Sequence, residues 1–246
     1  MPMKTVFCLI ALLALHCLGA ADDAMLRRTG GLVFPKDNGK RIAIVNSCGA
    51  STNAIGMLVK GSEKLLHSPV KIFEAQPSGE SPYKSAKFYK GADTPVVIYI
   101  YSGEKDGPSL SVFVEDAIAA VNTAPLKSTS AEIESDRLCK ELYRAYGLIL
   151  GAYYSAKLPS VLSPAYSVGQ IDNIPVKMYS PMHITAILHT AKILNLPILR
   201  PATYESACRM GWAPAPTNDV QKAIWDKVHA VPATPMKIEF DPKKGR

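Results

Sequence analysis

A chain of 246 residues carries 28 Lys and Arg against 21 Asp and Glu, a formal net charge of +7, with 48% hydrophobic residues. Its basic residues are scattered, apart from Lys84, Lys87 and Lys90 and the terminal Lys-Lys-Gly-Arg, so no basic face interleaved with aromatics marks a nucleic-acid partner. Length alone allows the chain to bury its own core, and one domain with a tail is expected.

The first residues read as a cleaved signal peptide over 1–21. A basic start at Lys4 leads into "TVFCLIALLALHCLGA", then small residues at Gly19, Ala20 and Ala21 and acids at Asp22 and Asp23. The apolar run is too short for a stable membrane span. A secreted or periplasmic location follows, with cleavage after Ala20 or Ala21. Without Lys4 the balance is 27 to 21, and without Cys8 and Cys17 three cysteines remain: Cys48, Cys139 and Cys208. An odd count with no Cys-x-x-Cys excludes a disulfide scaffold and a zinc knuckle, while leaving one disulfide open.

"RIAIVNSC" (41–48) is apolar and β-branched, the pattern of a buried strand. Helical spacing follows over 51–67, and "PVKIFEA" (69–75) is a second strand. Pro, Gly and Ser over 76–93 predict a loop. "TPVVIYIYSG" (94–103) is the clearest strand, and "LSVFVEDAIAAVNT" (110–123) carries one or two more. Ser and Thr with acids open a helix within 128–157, whose part after Arg144 is ten residues without charge, as in a helix buried across a domain. A long Pro-rich connection (158–181), a helix over 182–197, a short helix "NDVQKAIWDKV" and a closing strand "MKIEF" complete the chain.

"RAYGLILGAYY" (144–154) keeps the skeleton of a known helix. Metzincin metalloproteases carry His-Glu-x-x-His-x-x-Gly-x-x-His followed by a Met-turn. This chain resembles their archaemetzincin-type members, with Lys140–Glu141 upstream, Gly147 inside, Gly151 at the motif glycine and Met178 of "VKMYSP" at the Met-turn. The resemblance implies an α/β (α+β, zincin-like) fold over 40–200. It would have a mixed twisted sheet, a crossover helix, a central buried helix, a Met-turn-like loop and a last helix, with 201–246 as a Pro-rich extension. The three ligand positions fall on Arg144, Leu148 and Tyr154, and the general-base position on Ala145. Arg144 and Leu148 supply no lone pair for zinc, the Tyr154 phenol alone is a poor substitute for imidazole, and alanine accepts no proton. In this frame Gly151 leaves the helix left-handed and Gly147 admits a close neighbour.

The expectation is therefore an exported, non-catalytic metzincin-like protein, not an enzyme, with no cofactor and with a peptide or protein ligand. Arg144, Tyr143 and Tyr154 are the candidate ligand-binding residues, since an Arg fork matches a carboxylate. The competing expectation for Arg144 is a compensating pair with Glu141. The alternative function is a secreted hydrolase, either a metallopeptidase with unrecognised ligands or an enzyme using Cys48 at a strand end. His183 and His189, six residues apart, do not share a helix face.

Overall fold

The computed structural model describes Met25, residues 28–157, 160–175 and 178–230. In chain order it contains strands β1 (Leu32–Val33) and β2 (Ile42–Asn46), helix α1 (Thr52–Leu66), β3 (Val70–Glu74) and α2 (Pro82–Phe88). There follow β4 (Val96–Tyr101), β5 (Leu110–Phe113), β6 (Ile118–Asn122), α3 (Ala131–Ile149), α4 (Val168–Asp172) and α5 (Pro181–Ile193). The last elements are β7 (Ala202–Thr203), α6 (Tyr204–Arg209) and α7 (Asp219–His229). They group into two compact units, one of Lys36–Arg200 and one in which the chain up to Pro35 groups with the chain from Pro201. The signal-like segment and the "MKIEF" strand lie outside the described residues.

The larger unit is built on a five-stranded sheet of order β3-β2-β4-β6-β5. β2, β4 and β6 run parallel through its middle, and each is buried along almost its whole length. A parallel strand covered on both faces is a continuous apolar run, which is why "IAIVN" and "VVIYIY" show no alternation. β5 turns back antiparallel on β6 through a 3-10 turn, Val114–Asp116, closed by Ala117 at φ 49°. It is one of the sheet's two edge strands, with β3 at the opposite edge. This mixed α/β architecture is the fold class that the sequence predicts.

Alternate residues divide the sheet's faces. Ile42, Ile44, Ile98, Ile100, Ala119 and Val121 meet α1 and α3 in the main core. Ala43, Val45, Val97, Tyr99 and Ile118 face the other way, where Ala86 of α2 packs. α2 replaces part of the expected loop over 76–93. Ser81 accepts a hydrogen bond from the Lys84 amide and Pro82 sits at the first helical positions, so the turn-forming residues open a helix. α4 likewise interrupts the expected Pro-rich connection.

α3 starts at Ser130, whose hydroxyl accepts from the Ile133 amide, with Glu132 and Glu134 in the first turn against the positive helix end. It ends on Gly151 at φ 82°. There the Gly151 amide donates to Leu148 O at 3.1 Å and the Ala152 amide to Gly147 O at 2.9 Å. This paired closure satisfies the last carbonyls and needs a left-handed residue. Among the described residues no helix is long and apolar enough to cross a membrane.

In the smaller unit β1 pairs antiparallel with β7, and the buried Gln221 of α7 donates to Gly30 O at 2.8 Å. α6, β1 and β7 have no counterpart in the sequence reading, since two-residue strands and a six-residue helix carry too few positions to show a period.

Candidate functional site

The half of α3 after Lys140 is buried almost without interruption. At its centre Arg144, 2% exposed, lies beside Glu141, which is fully buried. Arg144 Nη1 donates to Glu141 Oε1 at 2.5 Å, and Ser109 Oγ donates to the same oxygen at 3.4 Å. Arg144 Nη2 reaches Tyr154 Oη at 3.3 Å and Ala165 O at 3.1 Å, with the guanidinium 5.3 Å from the centre of the Tyr154 ring. Glu141 and Arg144 stand one helical turn apart, the spacing at which side chains meet. Gly151 then turns the chain so that Tyr154 folds back over Arg144.

Burial pushes the Glu141 carboxyl up, against the opposing pull of Arg144 and of the Ser109 bond. Burial also raises the Tyr154 phenol, although Arg144 favours its charged form. Tyr154 therefore stays protonated at neutral pH, and at 43% exposed it is the member of this group open to solvent. Glu141 Oε2 and Arg144 Nε have no hydrogen-bond partner.

The structure brings Arg144 and Tyr154 together and sends Tyr143 elsewhere. Tyr143 donates to Met57 O of α1 at 3.0 Å, and its ring lies on Gly61, where a Cβ would collide with it. Consecutive helical residues do not face each other, so Tyr143 and Arg144 serve different sides of α3. Ala145 and Leu148 are buried in the core. Gly147 admits Tyr179, whose hydroxyl donates to Tyr143 O at 2.5 Å; a Cβ there would stand 2.8 Å from the Tyr179 ring and 3.1 Å from Leu162. At Gly151 a Cβ would meet the Thr190 side chain. Met178 is 62% exposed, and its carbonyl accepts from the Val161 amide at 2.9 Å.

One pair escaped the sequence reading. Ser160 and His183, both fully buried, are joined Oγ to Nδ1 at 2.9 Å, and Tyr153 meets the imidazole edge-on at 5.1 Å. Burial lowers the His183 pKa, with the Tyr153 backbone pulling the other way. The two residues are 23 apart in sequence, and nothing local announces the contact. His189, by contrast, is exposed. Cys48 is half-buried with Sγ 3.7 Å from Thr123 Oγ1, and no disulfide joins Cys48, Cys139 and Cys208.

A zinc ion does not fit the three motif positions. Leu148 offers no lone pair, Tyr154 Oη already accepts a hydrogen bond from Arg144, and a divalent cation there would stand against the guanidinium. Among the described residues no group of three His, Cys, Asp or Glu side chains is placed to hold a metal.

The fold is of the zincin-like kind seen in archaemetzincin. The chain is similar to the crystal structure of archaemetzincin from Methanopyrus kandleri, with TM-score 0.53 and 14% identity over 64% of this chain and 98% of that one. Archaemetzincin from Archaeoglobus fulgidus, in complex with malonate, gives 0.47 and 15% over 60% and 99%. A zinc-dependent peptidase from Methanocorpusculum labreanum gives 0.47 and 14% over 59% and 99%. No family model matches the chain, and no curated protein matches it. The expectation that the protein is not an enzyme is corrected by the likeness to the Methanopyrus kandleri structure, since the fold is shared with an archaemetzincin. That expectation rested on four missing side chains, and residues missing from one motif do not exclude chemistry on a scaffold of this kind.

Proposed function

We propose that the protein acts on peptides, which add in extended form to the open edge of β5 and pass the Glu141–Arg144–Tyr154 group. The observation that carries this reading is the adjacency of the two. Ser109, directly before β5, donates to Glu141, and β5 ends the sheet. Because the Asn122 amide donates to Ser109 O, opposite it, the antiparallel alternation leaves the backbone groups of Leu110 and Val112 on the outer edge. Such an edge pairs with an extended peptide through its main chain. Tyr154 then offers its hydroxyl to the bound chain, and Arg144, held by Glu141, keeps that hydroxyl in place.

A hydrolase reading of the same site is favoured by the likeness to the Methanopyrus kandleri structure. Export belongs with either reading and is supported by the basic, apolar and small-residue order of residues 1–23. The test is a mixture of synthetic peptides passed over the immobilised protein, with mass spectrometry of what is retained and of new termini. Retention lost in Val112→Pro, which removes an edge N–H while sparing the β5–β6 ladder, is the expected result. Equal retention by Val112→Pro overturns the reading, and new termini in the flow-through select hydrolysis.

A further inference from the structure

On the sheet face opposite α3, a cavity of about 430 Å3 opens between α2, the segment 76–80 after β3, and Tyr99 within β4. Its apolar wall is Phe88, Tyr89 and Tyr99, and its polar rim includes Gln76, Glu80 and Lys84. The volume falls within the roughly 300–1,000 Å3 of small-molecule sites. Phe88 is 84% exposed and stands edge-on to Tyr89 at 5.3 Å, and Tyr89 in turn meets Phe73 at 5.2 Å. The phenyl ring is thus held at the mouth by an aromatic neighbour while its face stays in water.

The rim decides the ligand's charge. Lys84 Nζ lies 3.2 Å from Glu80 Oε2, so the two charges cancel and neither an anion nor a cation finds an unanswered partner. Gln76 adds an amide that both donates and accepts. A ligand matched to these walls is neutral, rich in groups that both donate and accept, and has one apolar face to lay on a ring. A pyranose has this form: its axial C–H bonds meet the negative ring face, and its hydroxyls reach outward to amide, carboxylate and ammonium.

We propose that this cavity is a binding site for a neutral saccharide, with Phe88 as the stacking platform and Gln76, Glu80 and Lys84 as hydroxyl partners. The site is separate from β5 and Tyr154, and it stands or falls independently of the peptide reading. The test is saturation-transfer NMR on the purified protein with cellobiose, maltose and di-N-acetylchitobiose, each at millimolar concentration. At least one disaccharide shows transfer to its ring protons, weakened at least tenfold in Phe88→Ala and weakened in Gln76→Ala, but unchanged in Tyr154→Phe. Phe88 is a surface residue, so its variant should keep the parent's circular dichroism and melting temperature. No transfer to any of the three sugars overturns the assignment. So does equal binding by a folded Phe88→Ala, or transfer seen only with a phenylalanine-containing peptide.

Discussion

Two long helices, α1 and α3, pack on one face of the five-stranded sheet and close it over a polar group, while on the other face, among the described residues of this unit, the packing helix is the seven-residue α2. Under α3, Glu141 Oε1 and both terminal nitrogens of Arg144 are spent on one another and on Tyr154, Ser109 and Ala165, while Glu141 Oε2 and Arg144 Nε stay unpartnered. Beside α2, Phe88 and the Glu80–Lys84 pair stand in solvent. A buried charge must find its partner inside the protein, because water is not there to supply one. The thick face therefore fixes its side chains, and the proposed peptide site lies at its edge, at β5 and Tyr154. The thin face leaves Phe88 and the Glu80–Lys84 pair exposed, where the proposed ligand would meet them.

Breaking the closed face should give the largest effect. Arg144→Ala strands a buried carboxylate, and the loss expected in urea denaturation is about 3–5 kcal/mol. Replacing both residues, Glu141→Leu with Arg144→Met, should lose less than Arg144→Ala alone. A loss below about 1 kcal/mol for the single variant would show that Glu141 reaches water. Gly147→Ala pushes on the Tyr179 ring, whose hydroxyl is tied to Tyr143 O, and on the buried δ-methyls of Leu162, and should cost about 1–3 kcal/mol by thermal denaturation.

His183 sharpens the comparison through pH. Burial lowers its pKa in the folded protein, so below about pH 6.5 the unfolded chain binds a proton that the folded one refuses. Stability then falls as pH drops from 7 towards 5, and His183→Asn should flatten that part of the curve. A slope unchanged by the substitution would place the titration elsewhere. The smallest effect belongs to the open face. Phe88→Ala should change stability by no more than about 0.5 kcal/mol, whatever it does to ligand binding.

Much of this was legible in the chain. β2 and β4 announce themselves because burial on both faces makes them uniformly apolar. The 144–154 skeleton led to the right fold class although the residues of its chemistry differ. The Glu141–Arg144 pair could be anticipated from helical spacing. Tyr143 could have been assigned away from Arg144 by the same geometry, since neighbours on a helix diverge. α2 was hidden because Ser81 and Pro82 serve a loop and a helix start equally well. Ser109 at Glu141 and Ser160 at His183 are contacts across 32 and 23 residues, made by tertiary packing with no local pattern to mark them.

The central claim is that β5 receives a peptide. Hydrogen exchange of the Leu110 and Val112 amides, measured with and without a retained peptide, tests it most directly. Exchange at both should slow on peptide addition while Ser111, bonded inward to β6, changes little. If both amides exchange at the same rate with saturating peptide, the edge of β5 is not where the peptide lies.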